Sequence, residues 1–128
     1  MSYGTELIID LYKCDESKFT RESIKDWLDE LCELIDMEQE DLHFWDYEDV
    51  PESEIPYDQP HLIGTSAVQF ITTSDIVIHT LEILKEAYIN IFTCKDLDSI
   101  KAVTFTKDWF GAGQYEYQTI FRGRKSKI

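Results

Sequence analysis

The sequence predicts an α+β fold, a two-layer sandwich in which a largely antiparallel sheet carries two helices on one face. Six short segments are rich in β-branched and aromatic residues, and two others repeat apolar residues at helical spacing. Their order is β-α-β-β-β-β-α-β, and closely spaced consecutive strands favour hairpins over parallel crossovers. With 128 residues, of which 43% are hydrophobic, the chain is expected to form a single domain over residues 1–128.

The first half of the chain contains two predicted strands on either side of a helix. Residues 6–12 are short, apolar and β-branched, and residues 42–47 are the second strand candidate. Thr20 is a suitable N-cap for the helix, with Glu22 in its first turn. All three prolines fall in residues 48–60, which predicts a long acidic loop. The apolar stripe of the helix comprises Ile24, Trp27, Leu28, Leu31, Leu34 and Ile35.

The second half predicts four more strands and one helix. Three strands are expected at residues 66–72, 76–81 and 87–93, and a final one at 114–121. A weaker helical pattern covers residues 97–110, where Ile100, Val103 and Phe110 share a face, and Gly111 and Gly113 end it. Because two helices cover only one face of the sheet, the other face is expected to be buried by dimerisation.

Composition excludes several classes of partner. The net charge is -14, from 26 acidic and 12 basic side chains, so nucleic acid is not expected as a ligand. No apolar run approaches the roughly 20 residues of a membrane span, and the N-terminus lacks a basic segment followed by an apolar one. The protein is therefore expected to be cytoplasmic. The acidic excess predicts either an ordinary solvated surface or a negative field that concentrates a small cationic substrate.

Side chains able to perform chemistry are few. The three histidines lack metal-ligand spacing and the three cysteines lack pairing, so neither a metal site nor a disulfide framework is expected. Ser74, His79 and Cys94 lie in or beside the three central strands, which could bring a hydroxyl, a base and a thiol together. Each also has an ordinary interpretation, as a turn serine, a hydrogen-bonded strand histidine and a small buried residue. Cys14 and Cys32 are expected to be buried hydrophobes.

The order and spacing of these residues resemble the prokaryotic S-adenosylmethionine decarboxylases. That family has a Gly-x-Ser strand, a Glu-Ser-His processing site, an Ile-His-Thr-Trp-Pro-Glu segment and a strand that ends in Phe-Thr-Cys. The matching stretches follow without a gap between Ser66 and Cys94, and residues 4–14 resemble the family's first strand. They are Gly64-Thr65-Ser66, Thr73-Ser74-Asp75, Ile78-His79-Thr80-Leu81-Glu82-Ile83 and Phe92-Thr93-Cys94.

The resemblance implies a self-cleaving proenzyme of spermidine biosynthesis. Cleavage between Thr73 and Ser74 would give a beta chain of residues 1–73 and an alpha chain of residues 74–128, and would convert Ser74 to a pyruvoyl cofactor, with no metal. This group would form a Schiff base with the substrate amine and accept electrons during decarboxylation. The implied roles are processing base for His79, processing geometry for Ser66 and proton donor for Cys94. A homodimer of processed protomers is expected.

Departures from the family pattern leave alternatives for function. The family's Glu before the serine is Thr73 here, the following His is Asp75, and Trp-Pro-Glu has become Leu81-Glu82-Ile83. The resemblance implies S-adenosylmethionine as the substrate. Because residues 81–83 depart from the family pattern, a basic amino acid such as arginine or ornithine is the alternative substrate. A non-catalytic, unprocessed homologue that binds a ligand or partner is the other alternative. Strand parity puts His79 on the face of Asp75 and opposite to Ser74, so Ser74 is predicted to lie at a turn.

Overall fold

The computed structural model describes residues 2–124, which form six strands, two α-helices and three short 3-10 helices. Their order along the chain agrees with the sequence prediction. The elements are β1 (Gly4–Tyr12), α1 (Arg21–Leu34), β2 (Gln39–Trp45), β3 (Gly64–Ile71), β4 (Ser74–Leu81), β5 (Glu86–Thr93), α2 (Ser99–Trp109) and β6 (Gln114–Arg122).

All six strands join one sheet in the order β2-β3-β4-β5-β1-β6. Every neighbouring pair is antiparallel. Three consecutive hairpins build β2 to β5, and β1 then lies between β5 and β6. The predicted antiparallel sheet with two helices is confirmed, and β4, β5 and β3 form its middle.

Helix α1 follows its predicted boundaries closely. Thr20 is the N-cap, and its hydroxyl accepts a hydrogen bond from the Ser23 amide at 3.1 Å. The predicted apolar stripe is buried except at Leu34, whose side chain is 37% exposed in the last turn. Cys32 takes the inward position there and is buried, as is Cys14. Burial raises the pKa of both thiols to about 11, so these two cysteines pack as hydrophobes.

Helix α2 begins two residues later than the apolar pattern predicted. Asp98 is its N-cap and accepts a hydrogen bond from the Lys101 amide at 3.1 Å. The helix ends before Gly111, which has a φ of +61°. Val103 and Phe110 are buried as predicted, but Ile100 is 60% exposed, so the predicted shared face is wrong at that residue.

The sheet has one face buried by the helices and one open face. Along each central strand, residues on the helix side are buried while those between them are partly exposed. The helix side includes Ile9, Ile78 and Ile89. The open face, which includes Ser66, Asp75, His79 and Phe92, mixes polar and apolar side chains. Among residues 2–124, no helix is long and apolar enough to cross a membrane.

Candidate active site

The turn between β3 and β4 brings the first candidate residues together. Ile71 pairs with Ser74, so the hairpin loop consists of Thr72 and Thr73 alone. Thr73 has a φ of +56°, a left-handed conformation that is unfavourable for a β-branched residue. Ser74 was predicted to lie at a turn, and it is the first residue of β4, directly after this one. Its side chain is only 8% exposed.

Cys94 lies beside this turn, because it directly follows β5, the neighbour of β4. Asp75 pairs with Phe92 across the two strands, which places residue 94 next to the loop. The Thr73 hydroxyl lies 3.4 Å from the Cys94 sulfur. The thiol is exposed, so Cys94 is not the buried hydrophobe that its type alone would suggest. Its pKa is lowered mainly by the hydrogen bond with Thr73. Desolvation is the next largest effect and opposes the shift, and hydrogen bonds with Tyr3 and Ser74 lower the pKa further.

Two cavities flank the turn. One of about 520 Å³ is lined by Ser74, Asp75 and the rings of Phe70 and Phe92, together with Glu40 and the turn itself. The other, of about 400 Å³, is lined by Cys94 and Lys95. A small molecule in either cavity would contact the Thr73–Ser74 peptide or the thiol.

A second pair of predicted residues, Ser66 and His79, forms a hydrogen-bonded dyad on the open face. Their strands pair directly at these positions, and Ser66 Oγ lies 2.7 Å from His79 Nδ1. A cavity of about 370 Å³ covers the dyad, and its wall includes the rings of Trp45, Tyr47 and Tyr88. A hydroxyl bound to one imidazole nitrogen leaves the other nitrogen free to exchange a proton.

The two pairs do not meet within one chain. Ser74 and His79 are five residues apart on β4, which corresponds to about 17 Å along a strand. They also lie on opposite faces of the sheet, in agreement with the predicted parity. Within one chain, the central strands therefore bring the hydroxyl and the thiol together, but not the base. The chain groups Thr73, Ser74 and Cys94 at one end of the site and Ser66 with His79 at the other.

Two carboxylates near these groups have perturbed acidity. The pKa of Asp75 is raised mainly by desolvation and, to a lesser extent, by repulsion from Glu6. Desolvation and the charge of Asp46 raise the pKa of Glu82, while a hydrogen bond with Thr65 opposes the shift. Both residues belong to segments that depart from the family pattern. Asp75 faces the large cavity, and Glu82 lines a smaller one of about 220 Å³ beneath the acidic loop.

Some residues near the site were missed from the sequence. Tyr3 contacts the Cys94 thiol from the segment before β1, and Trp45 and Tyr47 edge the dyad cavity from the end of β2. The Tyr47 hydroxyl donates to the Leu62 carbonyl at 2.8 Å, which fixes its ring beside that of Trp45. These contacts could not be predicted because they depend on the order of strands in the sheet. The one signal in the sequence was the density of aromatic residues in residues 44–47.

The protein belongs to the α+β class, with an antiparallel sheet that has two helices on one face. Its candidate site lies at strand ends, where Ser74 and the Cys94 thiol meet at the β3–β4 turn. A family model described as S-adenosylmethionine decarboxylase matches residues 5–123, and the chain belongs to that family. The crystal structure of the adenosylmethionine decarboxylase from Aquifex aeolicus VF5 has the same fold, with a TM-score of 0.78 and 20% identity. The match covers 99% of this chain and 96% of that one. No curated protein matches the chain significantly.

Proposed function

We propose that the chain is the proenzyme of a pyruvoyl-dependent decarboxylase, cut between Thr73 and Ser74 and acting on S-adenosylmethionine to supply spermidine synthesis. The observation that carries the proposal is the meeting of Thr73, Ser74 and Cys94 at one turn. A β-branched residue in the left-handed conformation, a hydroxyl on the C-terminal side of its peptide bond and a thiol of lowered pKa lie within one small volume. Membership of the decarboxylase family supports the same reaction type.

Self-cleavage follows from the chemistry of residues 73 and 74. The Ser74 hydroxyl attacks the Thr73 carbonyl carbon, the peptide C–N bond breaks, and the amine takes up the hydroxyl proton to leave an ester. Removal of the Ser74 α-proton then breaks the Cβ–O bond and releases residues 1–73 with a C-terminal carboxylate. Residue 74 is left as an enamine, which takes up water and loses ammonia to become the pyruvoyl group.

Thr73 favours the first step through its backbone conformation. A β-branched residue with a φ of +56° has a strained backbone, and strain of this kind costs on the order of 1–3 kcal/mol. Conversion of the peptide to an ester inserts Cβ and Oγ of Ser74 into the chain, and this longer link allows Thr73 to leave the left-handed conformation. The Thr73 hydroxyl donates to the Thr72 carbonyl at 2.7 Å, which holds the loop in place before cleavage.

The base for the second step comes from the partner in a homodimer. His79 is about 17 Å from Ser74 along its own strand, too far for proton transfer. When two open faces pack around a two-fold axis that crosses β4 midway, the two ends of the strand exchange places. The Ser66–His79 dyad of one protomer then approaches the β3–β4 turn of the other. This arrangement also buries Val77 and Phe92, which are otherwise partly exposed.

The surroundings of residue 74 fit the mature cofactor and a cationic substrate. A pyruvoyl ketone supplies an electron sink for the loss of CO2. The cavity of about 520 Å³ beside residue 74 is lined by Phe70, whose ring can contact a sulfonium or ammonium group, and Cys94 lies on the other side of the turn. The Phe92 ring in the same wall already stacks on Tyr3 and lies 5.1 Å from Arg122 Cζ. The thiol donates a proton to the substrate carbon after decarboxylation.

A basic amino acid is the second candidate substrate, and Asp75 favours it. Its carboxylate faces the cavity beside residue 74 and has no salt-bridge partner among the residues that the structure describes. The terminal cation of arginine or ornithine would offset the repulsion between Asp75 and Glu6. Comparison of CO2 release from S-adenosylmethionine, arginine and ornithine separates the two candidates. Activity on none of the three contradicts both and favours a non-catalytic homologue.

A complementation experiment tests the shared site. Chains carrying Ser74→Ala cannot be cleaved, and chains carrying His79→Ala lack the base, so each variant alone is expected to stay intact. When the two are co-expressed, mixed dimers place an intact His79 beside an intact Ser74, and every His79→Ala chain in such dimers is expected to be cut. With random pairing of equal amounts, this corresponds to half of all His79→Ala chains. Co-expression of Ser74→Ala with His79→Ala/Ser74→Ala is the matched control. Absence of cleavage in the mixed sample, or cleavage of His79→Ala alone, contradicts the shared site.

A further inference from the structure

Strand β6 forms one edge of the sheet and is unlike the opposite edge. It pairs with β1 over nine consecutive residues without a shift in register. On the other edge, β2 carries Glu40 and Asp41 and has a register shift between Gln39 and Leu42. Charge and irregular pairing are devices that prevent edge strands from joining other chains. Strand β2 has both, whereas β6 is long, regular and largely uncharged.

The side chains of β6 leave a large apolar surface in contact with solvent. Tyr115 and Tyr117 are 42% and 44% exposed, and Phe121 is 73% exposed. These three rings are on the helix side of the strand, because their β1 partners include the buried Leu11 and Ile9. Ile100, at the start of α2, is 60% exposed. An edge strand with exposed aromatic side chains is suited to pairing with a further strand.

The sequence of β6 is complementary to itself in one antiparallel register. When Thr119 is placed opposite Thr119 of a second copy, Glu116 lies opposite Arg122 and Tyr117 lies opposite Phe121. Each of these pairs occurs twice because of the two-fold symmetry. A register centred on Gln118 instead places Glu116 opposite Ile120 and loses the charge pair. Opposite charges and aromatic pairs across strands stabilise a sheet by roughly 0.2–1 kcal/mol each.

Charges within the chain also favour this partner. Glu116 lies directly opposite Asp10 of β1 on the open face, and two like charges in that position repel each other. Arg122 contacts Glu6 at 3.2 Å, yet its side chain remains 55% exposed. The second copy's Arg122 would therefore place a cation beside an acidic pair that has no ion-pair partner within residues 2–124.

We infer that β6 binds β6 of a second copy of this chain, which extends the sheet from six strands to twelve. The two-fold axis passes through the Thr119 pair at right angles to the sheet, so both helical layers lie on the same side. The open faces remain free, and this contact is independent of the face-to-face dimer proposed above. With both contacts present, the protein is a tetramer of four copies.

A charge exchange across the two strands tests the contact by sedimentation. Glu116→Arg places two arginines opposite each other and is expected to halve the mass measured by analytical ultracentrifugation. Glu116→Arg/Arg122→Glu restores opposite charges and is expected to restore the wild-type mass. Asp41→Arg makes the same charge change on the other edge strand and is expected to leave the mass unchanged. A Glu116→Arg protein of wild-type mass overturns the inference.

Arg122→Glu removes the ion pair with Glu6 and could disturb the fold, so cross-linking provides an independent test of the register. In a Cys94→Ser background, Thr119→Cys places two β carbons about 4.5–5.5 Å apart, near the range of a disulfide. Tyr117→Cys is the control, because in this register the two introduced cysteines are offset by four residues, about 13 Å along the strands. We expect an oxidised covalent dimer for Thr119→Cys and none for Tyr117→Cys. Equal yields at both positions, or no dimer at either, contradict this pairing.

Discussion

At the scale of single residues, the surroundings of the Cys94 sulfur determine how readily the thiol ionises. The Thr73 hydroxyl, 3.4 Å from the sulfur, is the largest contribution to its lowered pKa. When Cys94 ionises, the Thr73 hydroxyl can turn its one proton from the Thr72 carbonyl, 2.7 Å away, to the thiolate. Thr73→Ala has no such donor, so we expect it to raise this pKa toward the ordinary value. The rate of iodoacetamide alkylation against pH measures the change, with Ser74→Ala in all samples to keep the chain intact.

The control for this experiment is Thr73→Ser, which keeps the hydroxyl and removes only the methyl group. Its dependence of alkylation rate on pH is expected to match that of the protein that keeps Thr73. Because Cys14 and Cys32 are buried, peptide mapping after a short reaction assigns the label to Cys94. Superimposed profiles for Thr73→Ala and Thr73→Ser would show that the hydroxyl has no influence on the thiol.

Asp75 destabilises the folded chain when it is ionised, since burial and Glu6 both raise its pKa. The folded state then binds the proton of Asp75 more tightly than the unfolded state does. This cost is present above the raised folded-state pKa and disappears below the unfolded value of about 3.9. Asp75→Asn is therefore expected to raise the free energy of unfolding at pH 7, and the gain is expected to shrink as the pH falls toward 4.

Urea unfolding of the Ser74→Ala chain at several pH values measures this effect. Asp41→Asn, at an exposed position on β2, is the control for the general loss of one negative charge. If Asp75→Asn and Asp41→Asn give the same change at every pH, Asp75 has no special electrostatic strain.

At the scale of elements, a buried hydrogen bond joins the two helices. Trp27 Nε1 of α1 donates to Thr106 Oγ1 of α2 at 3.1 Å, and both residues are fully buried. Thr106→Val keeps the shape but removes the acceptor, so the indole N–H is left without a partner. We expect a loss of about 1–3 kcal/mol in the free energy of unfolding, measured in urea.

Thr106→Ser distinguishes the hydrogen bond from packing. It keeps the acceptor and removes one methyl group, which corresponds to a loss of about 0.8 kcal/mol. A larger loss for Thr106→Ser than for Thr106→Val would mean that packing of the methyl group, and not the hydrogen bond, determines the stability of this contact.

The elements themselves were predictable because their signals are local. Thr20 as N-cap, the period of α1 and the alternation of β3 to β5 each depend on residues within one segment. The errors at Leu34 and Ile100 lie in the last turn of α1 and the first turn of α2, where both side chains face solvent. Their exposure depends on how each helix packs on the rest of the chain, which no local pattern encodes.

At the scale of the whole molecule, the site was only partly predictable. The Thr73–Ser74 turn and the opposite parity of His79 could be predicted because they depend on residues close together in the sequence. The contact of Cys94 with Thr73 could not, because it depends on the β4–β5 register. The dyad of Ser66 and His79 likewise depends on the β3–β4 register. Its separation from Ser74 follows from their positions along β4, and the approach of a second copy that we propose cannot be read from one copy's sequence pattern.

The mass of the denatured protein tests self-cleavage at Thr73–Ser74. We expect the chain of 15.1 kDa to separate into fragments of about 8.6 and 6.5 kDa by length, the smaller one blocked at its N-terminus by a pyruvoyl group. The Ser74→Ala protein is expected to remain intact. A wild-type chain that stays at full length after prolonged incubation would contradict the account.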